Sequence, residues 1–421
     1  MMPADSFSRI VVEPGNAEKA FLVLVLLLSL GAFQNLLVTG RIETQNMGMV
    51  GMQVLWSFVY LVVMALYGRS CTNPFRRVFS LSPIIAVLLL AVTSALWSQD
   101  SQLTIRRSIA LGLTVVLGSY FASRFSAKEQ LRLLAWAFSI CILFSFLFEL
   151  MGANPSQGGG PGWYGVFYLK TQLGANMALS SLVFLFWRKV EPEHKHLATV
   201  GLLASLTLVF LSRDVTSILA ALSLLFLTPC LPWMLRRSTR WAIVAVTTFL
   251  CFGTVLLFYV GGHLQRATGL LGKDPMLTGR VPLWILSTAM ALQHPWFGYG
   301  FEAFWIPGTM YVRRMWQILA WMPPHAHNGA LELWLELGLV GVGLFFLGFG
   351  YYLLRAVKFL RSHSGPVAAW PLVFLLLLFI TNLTETHFLV ANNLFFVLYV
   401  SIAATLVQQS RKSSEQIGTP N

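Results

Sequence analysis

The chain has 421 residues, of which 56% are hydrophobic and only 11% charged, and it carries a net charge of +13. Soluble domains carry about 25% charged residues, so this composition excludes an ordinary soluble protein and predicts an integral membrane protein. The apolar runs are continuous rather than alternating, which excludes a transmembrane β-barrel and predicts a bundle of helices. The four cysteines form no CxxC pair, which argues against a zinc ribbon or a disulfide framework.

Apolar runs of roughly 20 residues, the length needed to cross a bilayer, predict an all-α polytopic protein with about twelve transmembrane helices. We interpret the first run as a retained helix rather than a signal peptide, because no small-residue cleavage site follows it. The run 197–212 is short for a full crossing. The predicted helices are 20–39, 49–67, 79–96, 105–123, 131–149, 170–187, 197–212, 215–234, 241–260, 331–354, 367–384 and 388–407.

The distribution of Lys and Arg predicts the orientation of these helices. With the N-terminus inside, most of the 29 basic residues fall in inside segments, so both termini are expected in the cytoplasm. The charge is then a topology signal, and nucleic acid is not an expected partner. The predicted regions are a cytoplasmic N-terminus (1–19), helices 1–9 (20–260), one large periplasmic loop (261–330), helices 10–12 (331–407) and a cytoplasmic tail (408–421).

Ten basic residues fall on the outer side of this topology, and five of them are candidates for an anion site. Cations near the membrane plane cost on the order of 2.5–3.5 kcal/mol at a helix centre and tend to face a cavity or the bundle interior. Each one alone is compatible with snorkelling to lipid phosphates. Five on one side favour a shared anion site. They are Arg106, Arg107, Lys170 and Arg213 at helix ends and Arg280 in the large loop.

The large loop also contains 310–319, which mixes apolar and basic positions, including Arg313 and Arg314, at near-helical spacing. This pattern is typical of a short amphipathic helix. A helix lying flat on the outer leaflet and a helix packed inside the loop both fit the sequence.

The stretch 323–338 closes the large loop and begins helix 10, and it places His325, His327 and Asn328 at the water boundary. A helix start offers free N–H groups and a positive dipole end, both suited to an anion. Histidine can take a proton from an attacking hydroxyl, and arginine forks can hold a phosphate or diphosphate. The pattern predicts a site for a lipid carrying such a group.

Several of these residues have alternative interpretations. Asn328 is either the N-cap of helix 10 or a substrate contact. Glu332 and Glu336, one turn apart, are expected to pair with outward arginines, or else to position an arginine or the acceptor. Glu385 is either a salt-bridge partner or part of the site.

A metal site is not expected. The outside carboxylates include no DxD or ExD pair that would suit Mg²⁺. His325 could form a zinc pair with His263 or His294, but no third and fourth ligand are suitably spaced, so His325 is taken as a loop residue.

The stretch around His327 is part of a longer pattern of motifs. The principal motif is His327-Asn328-Gly329-x-Leu331-Glu332 followed by Leu335-Glu336-Leu337-Gly338-Leu339. The pattern also includes Leu277-Thr278-Gly279-Arg280 with Trp284, His294 to Gly300, Phe304-Trp305, Ser212-Arg213, and the flanking patches 97–107, 165–174 and 382–385. This pattern resembles the O-antigen ligase/polymerase family. The three flanking patches are most similar to its exopolysaccharide-polymerase branch, although Thr171 stands where that branch usually has asparagine after Lys170.

The resemblance implies a cofactor-free, metal-independent glycosyltransferase of the bacterial inner membrane that acts on the periplasmic face and inverts the anomeric centre. Its donor would be an oligosaccharide on undecaprenyl diphosphate, its acceptor a glycan or lipid A–core, and membrane lipids and polysaccharide export proteins its other partners. His327 would be the acceptor-activating base, and Arg280 and Arg213 would hold the diphosphate. The remaining substrate-binding candidates are Lys170, Arg106, Arg107, Asn328, Glu332 and Glu385.

Three functions fit this combination. Polymerisation of exopolysaccharide repeat units is favoured, because the flanking patches resemble that branch. Ligation of O-antigen to lipid A–core shares the donor and differs in the acceptor. A polysaccharide or lipid transporter or flippase belongs to another class and also fits twelve helices.

Overall fold

The computed structural model describes residues 13–33, 42–71, 73–152, 162–237 and 280–417. Within these ranges the regular structure is helical throughout, without strands; predicted helix 241–260 and loop residues 261–279 lie outside them. Two single 3₁₀ turns are present, at Ser94–Leu96 and Pro192–His194. The helices are α1 Asn16–Ser29, α2 Ile42–Ser70, α3 Pro74–Phe79, α4 Ser82–Thr93, α5 Ser101–Arg124, α6 Ala127–Leu150, α7 Lys170–Val190, α8 Lys195–Ser212, α9 Val215–Arg237, α10 Arg280–Ala291, α11 Met310–Leu319, α12 Gly329–Ser362, α13 Trp370–Thr381 and α14 Leu394–Ile417.

Six helical segments in the described ranges are long and apolar enough to cross a membrane. They include the short run 197–212, and they identify the chain as a multi-pass membrane protein. The count of twelve and the periplasmic position of the large loop stay predictions. The six segments are Val50–Ser70, Ser101–Arg124, Ala127–Leu150, Pro192–Ser212, Val215–Pro232 and Gly329–Ser362.

Helix α7 lies at the centre of the bundle. Every residue from 173 to 184 is buried, and the helix packs against α6, α8 and α9. Its small side chains let neighbouring backbones approach closely, as is usual for helices that associate in a membrane. Ser180 shares a 2.7 Å hydrogen bond with Ser205 of α8. A helix buried on all sides needs no polar face, so its apolar run follows from its position.

Helix α12 is interrupted at Gly338, where φ is 69° and ψ is −172°. The prediction of one uninterrupted helix over 331–354 is therefore wrong at this residue. The loop 295–300 docks on the break and satisfies the backbone groups that the break frees, which is required at membrane depth. Four hydrogen bonds do this: Tyr299 N to Leu335 O (2.8 Å), Gly300 N to Glu336 O (3.0 Å), Leu339 N to Pro295 O (2.8 Å) and Val340 N to Trp296 O (3.2 Å).

We expect Gly338→Ala to destabilise the protein by more than the ~1–2 kcal/mol that a left-handed backbone costs a non-glycine residue. The added methyl group would lie 2.1 Å from the backbone carbonyl of Trp296, so the docked loop must move as well. Thermal unfolding of the purified protein in detergent measures the effect. Gly343→Ala is the matched control, because a methyl group there meets nothing within 4 Å. Equal melting temperatures for the two variants would contradict this account of the break.

The large loop forms a small packed unit in its described part, 280–328. Helix α11 buries Val312 and Met315 in an apolar cluster with Leu283, Tyr299 and Phe304. Of the two arrangements compatible with the sequence, the structure has the helix packed inside the loop. Both of its arginines, Arg313 and Arg314, are exposed.

Several ion pairs lie at the end of the bundle that is opposite to the large loop. Glu18 binds Arg124 at 2.8 Å, and buried Glu191 binds Arg132 and, at 3.6 Å, Lys128. All of these residues belong to segments that are predicted on the inner side of the membrane. Their contacts with one another are therefore consistent with the predicted alternation of the helices. Arg124 is the last residue of α5, and Arg107 lies near the start of the same helix. The end of the bundle with these ion pairs is therefore about 25 Å from Arg107.

Candidate functional site

A set of side-chain hydrogen bonds fixes the turn that carries His327. The turn has a left-handed backbone at His327 (φ 49°), and the side chain is buried. Glu332, one turn into α12, accepts the N–H of Ala326 at 2.6 Å and the indole N–H of Trp305 at 2.8 Å. Trp284 donates to the Ala326 carbonyl at 2.9 Å. The two peptide units on either side of Ala326 are thereby held, which fixes the backbone just before His327.

Asn328 begins α12 as its N-cap. Its Oδ1 accepts the N–H of Leu331 at 3.0 Å, and its Nδ2 donates to the carbonyl of Leu383 at 3.1 Å. Gly329 N–H donates to the carbonyl of Asn382 at 2.8 Å. The N-cap alternative is therefore present, and the same residue fastens the start of α12 to the segment after α13; a substrate contact by Asn328 stays a prediction.

The segment 382–393 is a loop, so the predicted helix 388–407 begins only at Leu394. The side-chain carbonyl of Asn382 accepts the N–H groups of His387 and Phe388, at 2.8 and 3.1 Å. This bond pattern turns the chain back on itself, which a continuing helix could not do. The loop brings Glu385 to the start of α12.

Glu385 joins the two main predicted site residues. Arg280 Nη2 donates to its Oε1 at 2.6 Å, and His327 Nδ1 lies 3.2 Å from its Oε2. Burial alone would raise the pKa of Glu385, but the charge of Arg280 and the hydrogen bond from His327 outweigh it and hold the pKa well below its usual range. An ionised carboxylate only accepts, so Nδ1 of His327 donates and its Nε2 is left to accept a proton.

His325 packs beside this pair. Its ring centre lies 4.1 Å from that of His327, and its Nδ1 accepts the His327 N–H at 3.2 Å. Burial and the neighbouring His327 lower the pKa of His325 to about 3, so this ring is neutral near pH 7. The predicted loop residue thus forms one wall of the site.

His325, His327 and Glu385 could together hold a metal ion, since one ligand atom from each lies within 4.8 Å of the others. Glu385 supplies the third ligand that sequence spacing did not reveal. His294 instead makes an edge-to-face contact with Tyr299, with ring centres 4.5 Å apart, and His263 lies outside the described residues. Arg280 already neutralises Glu385, and its fixed charge opposes a second cation at the same place.

A cavity of about 830 Å³ opens beside these residues, within the 300–1,000 Å³ range of small-molecule pockets. It lies between the starts of α5 and α12, α2, and the loops around Glu302 and Glu385. Its charged and histidine lining is Arg106, Arg107, Glu302, His325, Glu332, Glu336, Glu385 and His387.

The carboxylates in the cavity wall do not pair as expected. Arg107 forms its ion pair with Glu302, at 3.1 Å, while Glu336 accepts the N–H of Glu302. The partners of Glu332 are an indole, a backbone amide and the side chain of Glu336, so the expected pairing of Glu332 with an outward arginine is wrong. Burial raises the pKa of Glu302, and Arg107 opposes that rise.

The remaining predicted residues lie around the same end. Arg106 is exposed and lines the cavity, and half-buried Lys170 begins α7 beside cavity residues. Arg213 is exposed at the end of α8 with a left-handed backbone (φ 53°). In the described part of the chain no hydrogen bond joins Arg213 to His327 or Arg280. Its neighbour Asp214 is close enough to Arg280 for their charges to interact.

Three residues at this site were missed as candidates: Glu302, Thr386 and His387. Nothing in the spacing around Glu302 sets it apart from other loop carboxylates. Thr386 and His387 directly follow Glu385, and this position beside the 382–385 motif is the feature of the sequence that marks them.

Fold and site together define a multi-pass helical membrane protein with a polar cavity at one end of the bundle. Residues 200–346 match the Wzy_C family, O-antigen ligase, and they include Arg213, Arg280 and His327. Over 272 residues the chain is 29% identical to exopolysaccharide production protein ExoQ of Rhizobium meliloti (strain 1021), covering 62% of this chain and 61% of that relative. The comparisons confirm the resemblance to the O-antigen ligase/polymerase family: residues 200–346 match the O-antigen ligase model, and the chain is similar to an exopolysaccharide production protein.

Proposed function

We propose that the protein transfers a glycan from undecaprenyl diphosphate to a sugar hydroxyl at the periplasmic face of the bacterial inner membrane, and that it polymerises exopolysaccharide repeat units. The observation that carries this proposal is the junction of Arg280 and His327 on the two oxygens of Glu385. It puts a phosphate-binding fork and a proton acceptor side by side, at the end of the bundle that holds the polar cavity.

In the proposed reaction, Nε2 of His327 takes the proton of the acceptor hydroxyl. The hydroxyl oxygen then attacks the anomeric carbon, and the bond between that carbon and the diphosphate oxygen breaks. The leaving diphosphate keeps the bonding electrons, so negative charge grows beside Arg280, which stabilises it. Attack from the face opposite the diphosphate inverts the anomeric centre. Glu385 holds His327 in the right tautomer and stabilises the imidazolium that forms.

Arg213 is proposed as the second diphosphate contact, with Lys170 supporting it from the start of α7. Arg213 lies beside Asp214, which is within electrostatic range of Arg280. Thr216, in the first turn of α9, accepts a 2.9 Å hydrogen bond from Thr384, next to Glu385. Arg213 and Arg280 therefore lie at the same end of the bundle.

We expect transfer to continue in EDTA, because Arg280 supplies the positive charge that a metal would otherwise provide. The measurement is initial rate with and without EDTA, followed by readdition of Zn²⁺, Mg²⁺ or Mn²⁺. His325, His327 and Glu385 make Zn²⁺ the informative addition, since two imidazoles and a carboxylate suit it. Inhibition by EDTA that one of these ions reverses would contradict metal independence.

The relative from Rhizobium meliloti is an exopolysaccharide production protein, which favours polymerisation over ligation. The family description, O-antigen ligase, keeps ligation to lipid A–core as the second candidate. A deletion strain separates them. Loss of long chains from secreted polymer indicates the polymerase, whereas bare lipid A–core with intact lipid-linked polymer indicates the ligase.

The direct test uses purified protein in lipid vesicles with a synthetic undecaprenyl-diphosphate oligosaccharide. Products are read by mass. A ladder spaced by one repeat unit, with release of undecaprenyl diphosphate, is the expected result. Unchanged donor after addition of either candidate acceptor would overturn the proposal.

A further inference from the structure

Two consecutive residues in the cavity wall have polar atoms without hydrogen-bond partners. In the described part of the chain, Thr386 Oγ1 and both ring nitrogens of His387 are buried and unpaired. Both residues line the cavity, immediately after Glu385. Buried polar groups normally find partners, and leaving one unpaired costs free energy. Three such atoms together indicate that something else satisfies them during function.

The His387 ring is held in place while its nitrogens stay unpaired. It is 9% exposed and stacks nearly parallel on Phe395, with ring centres 4.2 Å apart. Its backbone N–H is fixed by Asn382. Burial lowers the pKa of His387 to about 4, so the ring is neutral near pH 7. A neutral imidazole offers one donor and one acceptor, which matches a hydroxyl group that also does both.

The charges of the cavity favour an uncharged, hydroxyl-rich ligand over a diphosphate. Its lining holds two arginines, one of them already paired with Glu302, against four carboxylates. The diphosphate-binding fork of Arg280 lies outside this lining. Carboxylates accept strong hydrogen bonds from hydroxyls, and the rings of Trp56, Tyr60 and Trp305 add apolar faces to the wall.

We propose that this cavity is the acceptor-sugar subsite and that His387, assisted by Thr386, binds hydroxyl groups of the acceptor glycan. The proposal rests on the proposed glycan transfer and names the part of the site that receives the acceptor. Glu385 is the link between the two functions: its carboxylate holds the base, and the residues that follow it hold the sugar. Acceptor binding on this loop therefore presents a hydroxyl next to His327.

The test compares His387→Phe and His387→Gln with wild type in the reconstituted transfer assay. Phenylalanine keeps the stack on Phe395 and removes both polar atoms, while glutamine restores a donor and an acceptor. We expect the acceptor KM to rise about tenfold in His387→Phe, as loss of a well-made hydrogen bond implies, and to recover largely in His387→Gln. The donor KM and kcat should stay close to wild type. The melting temperature of His387→Phe should not fall, because an unpaired polar group has been removed.

A binding measurement keeps this test independent of catalysis. The probe is the repeat-unit oligosaccharide freed of lipid and diphosphate, and the signal is tryptophan fluorescence, since Trp56 and Trp305 line the cavity. Saturable binding to wild type that weakens in His387→Phe, but not in the distant exposed control His196→Phe, supports the subsite even if transfer itself fails. Equal binding to all three proteins, a rise in donor KM instead of acceptor KM, or a lower melting temperature with a parallel loss of kcat would each overturn it.

Discussion

His327→Asn is expected to lower the rate of glycan transfer by about 10²–10⁴-fold, the usual contribution of a positioned general base. Asparagine tolerates the left-handed backbone of this position, so the turn before α12 should keep its shape. It cannot accept the proton that Nε2 of the imidazole is placed to take. Glu385 would keep its bond to Arg280, so the carboxylate is not left as an uncompensated buried charge. Product mass in the reconstituted assay gives the rate.

The matched control is His196→Asn, since His196 is exposed at the opposite end of the bundle. Protein level and melting temperature should be the same for both variants, which separates lost chemistry from lost folding. Wild-type polymer in a strain carrying His327→Asn would remove the base from the mechanism. If uptake or lipid flipping failed in that strain while polymer was normal, the transporter alternative would replace the enzyme.

Much of the helical architecture follows from the sequence because lipid imposes a simple rule: each crossing needs a long apolar run with its backbone bonds closed internally. Eleven of the twelve predicted runs overlap described helices, among them the short run 197–212, which forms α8. The start of α12 was also predictable, since Asn328 is a strong N-cap residue. These features are local, and local rules are sufficient for them.

The interruption of α12 and the composition of the cavity wall were not predictable in this way. Gly338 lies in an apolar run that is typical of a continuous helix. The break is stable there because the loop 295–300 hydrogen-bonds the backbone groups that the break leaves unpaired. Glu332 was expected to attract an arginine, but the nearest donors in the folded chain are Trp305 and Ala326 N–H. The partner of a buried carboxylate depends on which segments pack beside it in the folded chain. Spacing along the sequence does not show this.

The contacts of Glu385 with His327 and Arg280, on which the proposed mechanism depends, were also not predictable from the sequence. Glu385 reaches His327 from 58 residues away and Arg280 from 105. The sequence marked all three separately, as candidates on the outer side of the membrane. It did not show that one carboxylate would bind both others, and that contact is what orders them into base, positioning residue and phosphate fork.

Arg280→Lys is expected to reduce transfer by on the order of 10²-fold, comparable to the loss of one donor that stabilises developing negative charge. Arginine has five N–H donors on a planar fork, so Nη2 can bind Glu385 while the other edge faces a diphosphate. A lysine ammonium is a point charge that has to choose between them. Because the positive charge is kept, Glu385 stays compensated, and the variant tests the fork rather than the charge.

The control for this variant is Arg314→Lys, an exposed arginine of the same loop, for which no change in rate is expected. The rate should be measured at saturating donor and again at low donor concentration. A loss at both indicates that the fork acts on the departing diphosphate, whereas a loss only at low donor indicates that it merely binds the donor. Wild-type rates under both conditions would show that a point charge at position 280 is sufficient, and the bidentate fork of Arg280 would then not be needed for the diphosphate.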